Sequence, residues 1–296
     1  MEFNNGHFKA GKISMGWGGF TEAEVEWQYN PRETVPDFAD HFARFVAASN
    51  DVRAKLDHQS DVRFGPGPKE TFDVFPATSP NAPIHVFFHG GYWRSQDKKD
   101  YTFIVRDLVA DGYTVICANY DLCPDVTVDE ITDQAVRCIK YVYEHIDDFN
   151  GDRDRLSISG HSAGGQIVAR LAAHDWESEI GDATPFNAAV PVSGVFDLEP
   201  LRFTSMNGDI RLTEDSAADN SPMLDAVPVG VKMMLVVGAV ETPEFVRQSQ
   251  VYAAYCAKSG LIVPVHQAWG ANHFTVLEEL YLRDGALYGN LKRIIG

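Results

Sequence analysis

A largely parallel β-sheet covered by helices on both faces is the architecture this chain predicts, on three observations. From about residue 70 onward, apolar runs of strand length alternate with longer stretches in which apolar residues recur at helical spacing. One strand-to-helix junction reads Gly160-His161-Ser162-Ala163-Gly164, and another apolar run ends in His89-Gly90-Gly91-Tyr92-Trp93. Alternation of this kind belongs to units in which each helix crosses back over the sheet, so that the strands are buried on both sides and read as continuous apolar runs.

Strands are expected over 71–75, 84–88, 114–119, 156–159, 188–193, 233–237 and 264–268, and helices over 101–110, 128–145, 166–173 and 244–258. Along the second helix Ile131, Ala135, Cys138, Val142 and Ile146 fall on one face, which must be buried. Two regions stand outside the alternation. Residues 1–65 read as an N-terminal helical cap segment, with helical patterns over 22–29 and 36–56 before the turn Gly65-Pro66-Gly67-Pro68. Residues 198–230 are irregular and punctuated by Pro200, Gly208, Pro222 and Pro228. Open α/β sheets bind ligands at the C-terminal edge of their strands, so both regions are expected there as cap and pocket wall. The whole chain, 1–296, is expected to form a single domain, with the cap segment over 1–65 and the core over 66–296.

Composition narrows the function classes. The net charge is −17, from 42 acidic against 25 basic side chains, which argues against nucleic acid or an anionic membrane as partner. No run of eighteen apolar residues occurs, and Met1-Glu2-Phe3-Asn4-Asn5-Gly6 has neither a basic nor an apolar leader pattern, so a cytoplasmic protein is expected. Cys117, Cys123, Cys138 and Cys256 lack the paired spacings of metal sites and read as reduced thiols. No metal and no cofactor are expected. The sequence is compatible with a homodimer but shows no interface.

Ser162 is the expected nucleophile. A serine in so tight a strand-to-helix turn is held in a strained conformation, and residues two before and two after must be small for strand and helix to approach. Gly160 and Gly164 meet that need. When a carbonyl is attacked, its oxygen becomes an anion, and backbone N–H groups converging on it are worth roughly 3–4 kcal/mol per donor. Gly90 or Gly91 is expected to supply one donor and Ala163 the other. The serine also needs a histidine to take its proton and a carboxylate to orient that histidine, in the chain order serine, acid, histidine. His273 follows the last expected strand in the loop Gly270-Ala271-Asn272-His273-Phe274, whereas His266 lies within that strand. Glu241 follows the penultimate strand through Gly238-Ala239-Val240 and is the expected acid. Asp197, after the preceding strand, is the alternative, and Glu244 fits a helix-capping role equally well.

With these motifs in place, the chain resembles the kynurenine formamidase (arylformamidase) family of α/β-hydrolases. His89-Gly90-Gly91-Tyr92-Trp93 looks like that family's HGGYW signature. The likeness continues through Tyr29-Asn30-Pro31, residues 160–165 and 193–201, Asn220-Ser221-Pro222, residues 241–249 and Asn272-His273-Phe274. The resemblance implies the α/β-hydrolase fold and hydrolysis of N-formyl-L-kynurenine to formate and L-kynurenine in tryptophan breakdown. Ser162 would take the formyl group and His273 would protonate the departing aniline nitrogen. Tyr92, Trp93, His161 and Phe274 are candidates for the substrate pocket, although Tyr92 and Trp93 could equally pack in the core. The family includes esterases, so a carboxylesterase of small aryl or alkyl esters is the alternative. A non-catalytic ligand-binding protein of this fold is a third reading, which turnover of any activated acyl substrate would exclude.

Overall fold

The computed structural model describes residues 16–296, so the part of the cap segment over 1–15 lies outside the described residues. Nine strands occur among these: β1 (Gln59–Arg63), β2 (Thr71–Phe75), β3 (Ala82–Phe88), β4 (Thr114–Ala118), β5 (Gly151–His161), β6 (Ala188–Val192), β7 (Lys232–Met233), β8 (Leu235–Gly238) and β9 (Val265–Ala268). They form one sheet in the order β1-β2-β4-β3-β5-β6-β8-β9, with β7 paired to β6. The β1–β2 and β2–β4 pairs are antiparallel and every other pair is parallel.

Successive side chains of a strand leave the sheet on opposite faces, and both faces here are apolar. Ile84, Val86 and Phe88 of β3 join Ile116, Ile158 and the helices Val128–Glu144, Ala163–Ala173 and Pro243–Lys258 in one core. Phe87 joins Val115, Val190, Val236 and the helices Phe38–Lys55, Val105–Ala110, Val276–Tyr281 and Tyr288–Ile295 in the other. That double burial is why the central strands read as unbroken apolar runs. All four cysteines are buried and free. Among the described residues no helix is long and apolar enough to cross a membrane.

Several elements differ in extent from the sequence expectation. Strand β1 was not expected, because Gln-Ser-Asp-Val-Arg is polar and mostly exposed at the sheet edge. Strand β5 starts at Gly151, five residues early, through a charged stretch that lies outside the core. The helix expected over 101–110 divides into a 3-10 turn, Lys98–Ile104, and an α-helix, Val105–Ala110. The irregular segment 198–230 contains four short helical turns, Glu199–Phe203, Asn207–Ile210, Glu214–Asp219 and Pro222–Leu224. At the N-terminal end, Glu22–Tyr29 opens with a reciprocal cap between Thr21 and Glu24.

Candidate active site

Strand β5 ends at His161 and the Ala163–Ala173 helix begins two residues later, leaving Ser162 at the hinge with φ 56° and ψ −115°. This backbone is unfavourable for a side-chain-bearing residue and is held by the Ser162 N–H donating to the Val192 carbonyl at 2.8 Å. The flanking glycines are steric necessities. A Cβ on Gly160 would lie 2.2 Å from the Gly164 carbonyl oxygen, and one on Gly164 would lie 2.1 Å from that of Phe88.

The loops after β8 and β9 bring Glu241 to His273. The His273 Nδ1–H donates to Glu241 Oε2 at 2.7 Å, and both side chains are almost wholly buried. Because an ionised carboxylate only accepts, the ring proton sits on Nδ1 and Nε2 is left for other work. Glu241 Oε1 accepts from the Ser193 hydroxyl and from the Gly238 amide, each at 2.6 Å. The other two acids are engaged elsewhere. Asp197 Oδ1 accepts from the Glu199 N–H at 3.1 Å, and burial pushes its carboxyl pKa up. Glu244 accepts from Tyr29 at 2.7 Å and from Arg247 at 2.7 and 2.8 Å.

The loop after β3 packs against the serine turn. A Cβ on Gly90 would lie 3.0 Å from His161 Nδ1 and 3.3 Å from Ser162 Cβ. Gly91, Tyr92 and Trp93 follow one another at φ +114°, +50° and +55°. Glycine adopts this left-handed region freely, but Tyr92 and Trp93 do not, and the loop is braced from outside. The Tyr120 hydroxyl donates to the His89 carbonyl at 2.8 Å, the Ser95 amide donates to the Gly91 carbonyl at 3.1 Å, and the Tyr92 hydroxyl donates to the Tyr29 carbonyl. Gly91 lines the same pocket as Ser162. Ala163 opens its helix, where backbone N–H groups lack intrahelical partners.

That pocket combines Ser162, His273, His161 and Gly91 with aromatic walls from Tyr92, Tyr101 and Phe274. Asn30, Pro31 and Arg32 enter from the N-terminal segment and Met206 from the irregular segment. Trp93 corrects the pocket expected from sequence. It is fully buried, belongs to the core, and donates through Nε1 to Gln166 at 3.2 Å. His161 is also buried, and its Nε2–H donates to the His273 carbonyl at 2.7 Å. Burial, then the neighbouring His273, push the His161 pKa well below its usual value, so Nδ1 is a bare acceptor with no protein partner.

Sequence reasoning missed Ser193, Arg32 and Met206. Ser193 follows β6 directly, at φ 48°, and the signal that singles it out is its contact with Glu241 across 48 residues. Among the described residues no cluster of histidine, cysteine and carboxylate side chains could hold a metal.

Comparison with known proteins adds to this geometry. The family model described as BD-FAE matches residues 73–237, from β2 into β8. Kynurenine formamidase of Danio rerio is 29% identical, over 95% of this chain and 98% of its own length. Kynurenine formamidase of Drosophila melanogaster is 29% identical over 81% of each chain. Esterase LipQ of Mycobacterium tuberculosis is 32% identical over 47% of this chain and 36% of its own length. Among solved structures, one from a Silicibacter species described as a candidate thioesterase superposes with a TM-score of 0.79 at 27% identity, covering 91% of this chain and 99% of that one. An esterase from Pyrobaculum calidifontis superposes at 0.70 with 17% identity, covering 93% and 96%, a likeness of fold.

Proposed function

Because this chain belongs to the BD-FAE family and is a hydrolase of the α/β-hydrolase fold, we propose that it cleaves the formamide of N-formyl-L-kynurenine to L-kynurenine and formate through an acyl-enzyme on Ser162. The observation that carries the substrate is the similarity to kynurenine formamidase along nearly the full length of both chains. The similarity to esterase LipQ is confined to less than half of this chain, which favours the carboxylesterase reading less.

His273 Nε2 takes the Ser162 proton as the serine oxygen attacks the formyl carbon. Glu241, bonded to Nδ1, holds the ring in the productive tautomer and stabilises the imidazolium. The tetrahedral oxyanion is held by the amides of Ala163 and Gly91, the Gly91 amide being favoured over that of Gly90 because Gly91 lines the pocket with Ser162. Breakdown of the intermediate breaks the C–N bond, and the imidazolium proton passes to the aniline nitrogen as L-kynurenine leaves. The same histidine then takes a proton from water, which attacks the formyl-serine ester and releases formate.

The deciding assay sets N-formyl-L-kynurenine beside p-nitrophenyl acetate, with Ser162→Ala as control. An ester is intrinsically easier to cleave than an anilide, so a higher kcat/KM for the formamide would require specific recognition. If the formamide is untouched while short esters turn over, the carboxylesterase reading takes its place. Full activity in Ser162→Ala would overturn the mechanism.

A further inference from the structure

We propose that Arg32 is the receptor for a carboxylate on the substrate, making this pocket selective for acyl compounds whose leaving portion carries an anionic tail. The inference deepens the hydrolase reading above and rests on it.

Arg32 lines the pocket that holds Ser162 and His273. In a chain of net charge −17, a cation at such a place would ordinarily be met by one of the many acids. Among the described residues Arg32 has no carboxylate partner, whereas its pocket neighbour Arg94 is paired to Asp209. Burial pushes the Arg32 pKa down, and the positive charge of the neighbouring Arg94 guanidinium pushes it down further. An anion between or beside them would relieve that repulsion.

The Arg32 side chain is also held in place. Its Nη2 donates to Ser95 Oγ at 3.1 Å, and Ser95 Oγ donates in turn to the Gly91 carbonyl at 3.0 Å, which ties the cation to the loop beside the serine. Its guanidinium lies 5.1 Å over the Phe38 ring. The Arg32 backbone N–H donates to Asn30 Oδ1 at 3.2 Å, fixing the short helix Pro31–Thr34 that carries it. A guanidinium offers five donors in a planar fork, so the one bond to Ser95 leaves a pair suited to a bidentate carboxylate. An α-amino-acid tail, as on L-kynurenine, supplies such a group, and a simple aryl or alkyl ester does not.

Isothermal calorimetry on the full chain tests this with L-kynurenine and its carboxamide, which differ only in the carboxylate. The wild-type protein should bind L-kynurenine roughly tenfold more tightly than the carboxamide, the size expected of a charge-assisted pair near solvent. Arg32→Gln should erase the preference, Arg32→Lys should restore part of it, and about 0.5 M salt should narrow it. Glu33→Gln, a neighbouring change of charge, should keep the full ratio. Equal affinities in the wild type, failure of both ligands to bind, or an Arg32→Gln variant that keeps the preference would overturn the assignment. Wild-type turnover of p-nitrophenyl acetate tests the underlying serine chemistry separately. If that turnover is absent the hydrolase reading falls, and the binding ratio still decides Arg32.

Discussion

Glu241 stands 2.7 Å from His273 Nδ1 through one carboxylate oxygen, while its other oxygen is held at 2.6 Å by both the Ser193 hydroxyl and the Gly238 amide. Two donors on Oε1 and the histidine on Oε2 hold the carboxylate from both ends, so it is braced against rotating away from the histidine. It therefore fixes the ring's tautomer before any substrate arrives.

Glu241→Gln should accordingly cost about 10⁴ in kcat, by analogy with loss of the orienting acid from a serine-protease triad. An amide would offer His273 a donor as readily as an acceptor and would let the wrong tautomer form. Asp197→Asn should stay near wild type, since the Asp197 side chain accepts from the Glu199 N–H, which an asparagine Oδ1 can also accept, and not from His273. Steady-state kinetics on p-nitrophenyl acetate separate the two, and a crippled Asp197→Asn beside an active Glu241→Gln would reverse the assignment.

Ser193→Ala removes one of the two donors on the far oxygen of Glu241. Hydrogen bonds to charged groups contribute about 1.5–3 kcal/mol, so kcat should fall roughly tenfold or somewhat more. KM should hardly move, because Ser193 is not among the residues lining the pocket. A variant that raises KM and keeps kcat would show that Ser193 acts on binding and not on the acid.

The parallel strands were legible because burial on both faces leaves an unbroken apolar run, as in β3 and β4. Ser162 was legible because its turn demands glycine on either side for a steric reason that sequence displays directly. The acid was harder. Glu241, Glu244 and Asp197 all follow strands, and only the packing of the β8 and β9 loops decides which one meets His273. Tyr92 and Trp93 are adjacent in sequence and both join the core, yet only Tyr92 also reaches the pocket wall, and the left-handed backbone of both has no signature in the local sequence. Arg32 meets Ser95 across 63 residues, a contact that no local pattern announces.

Stability should fall as the medium is acidified, and His85 is one identifiable cause. It is wholly buried between Ser157 and Ser159, and burial pushes its pKa down from 6.5 to about 3. Between those values the unfolded chain binds a proton that the folded chain refuses, so this contribution is fully present above 6.5 and is lost as pH falls toward 3. His161 and His89 are shifted in the same direction by burial. The melting temperature should drop by several degrees, of order 5 °C, between about pH 7 and pH 4.5. His85→Gln should melt lower at neutral pH but with a shallower slope against pH, and an unchanged slope would remove His85 from the account.

Tyr29→Phe probes how the N-terminal helix serves the pocket. The Tyr29 hydroxyl donates to Glu244 at 2.7 Å and accepts from Gln248 at 2.8 Å, its carbonyl accepts from Tyr92, and the Gln28 carbonyl accepts from the Thr242 hydroxyl at 2.6 Å. These bonds fasten Glu22–Tyr29 to both the loop that carries Glu241 and the loop that follows β3, and the next three residues line the pocket. Losing the hydroxyl leaves two buried groups short of a partner, a cost of about 1–3 kcal/mol. The melting temperature should fall by a few degrees, of order 2–6 °C for a chain of this size. KM for N-formyl-L-kynurenine should rise several-fold as Asn30, Pro31 and Arg32 lose their anchor, with kcat on p-nitrophenyl acetate close to wild type. A fall in kcat as deep as that of Glu241→Gln, with KM unchanged, would mean that the helix supports the acid and not the binding wall.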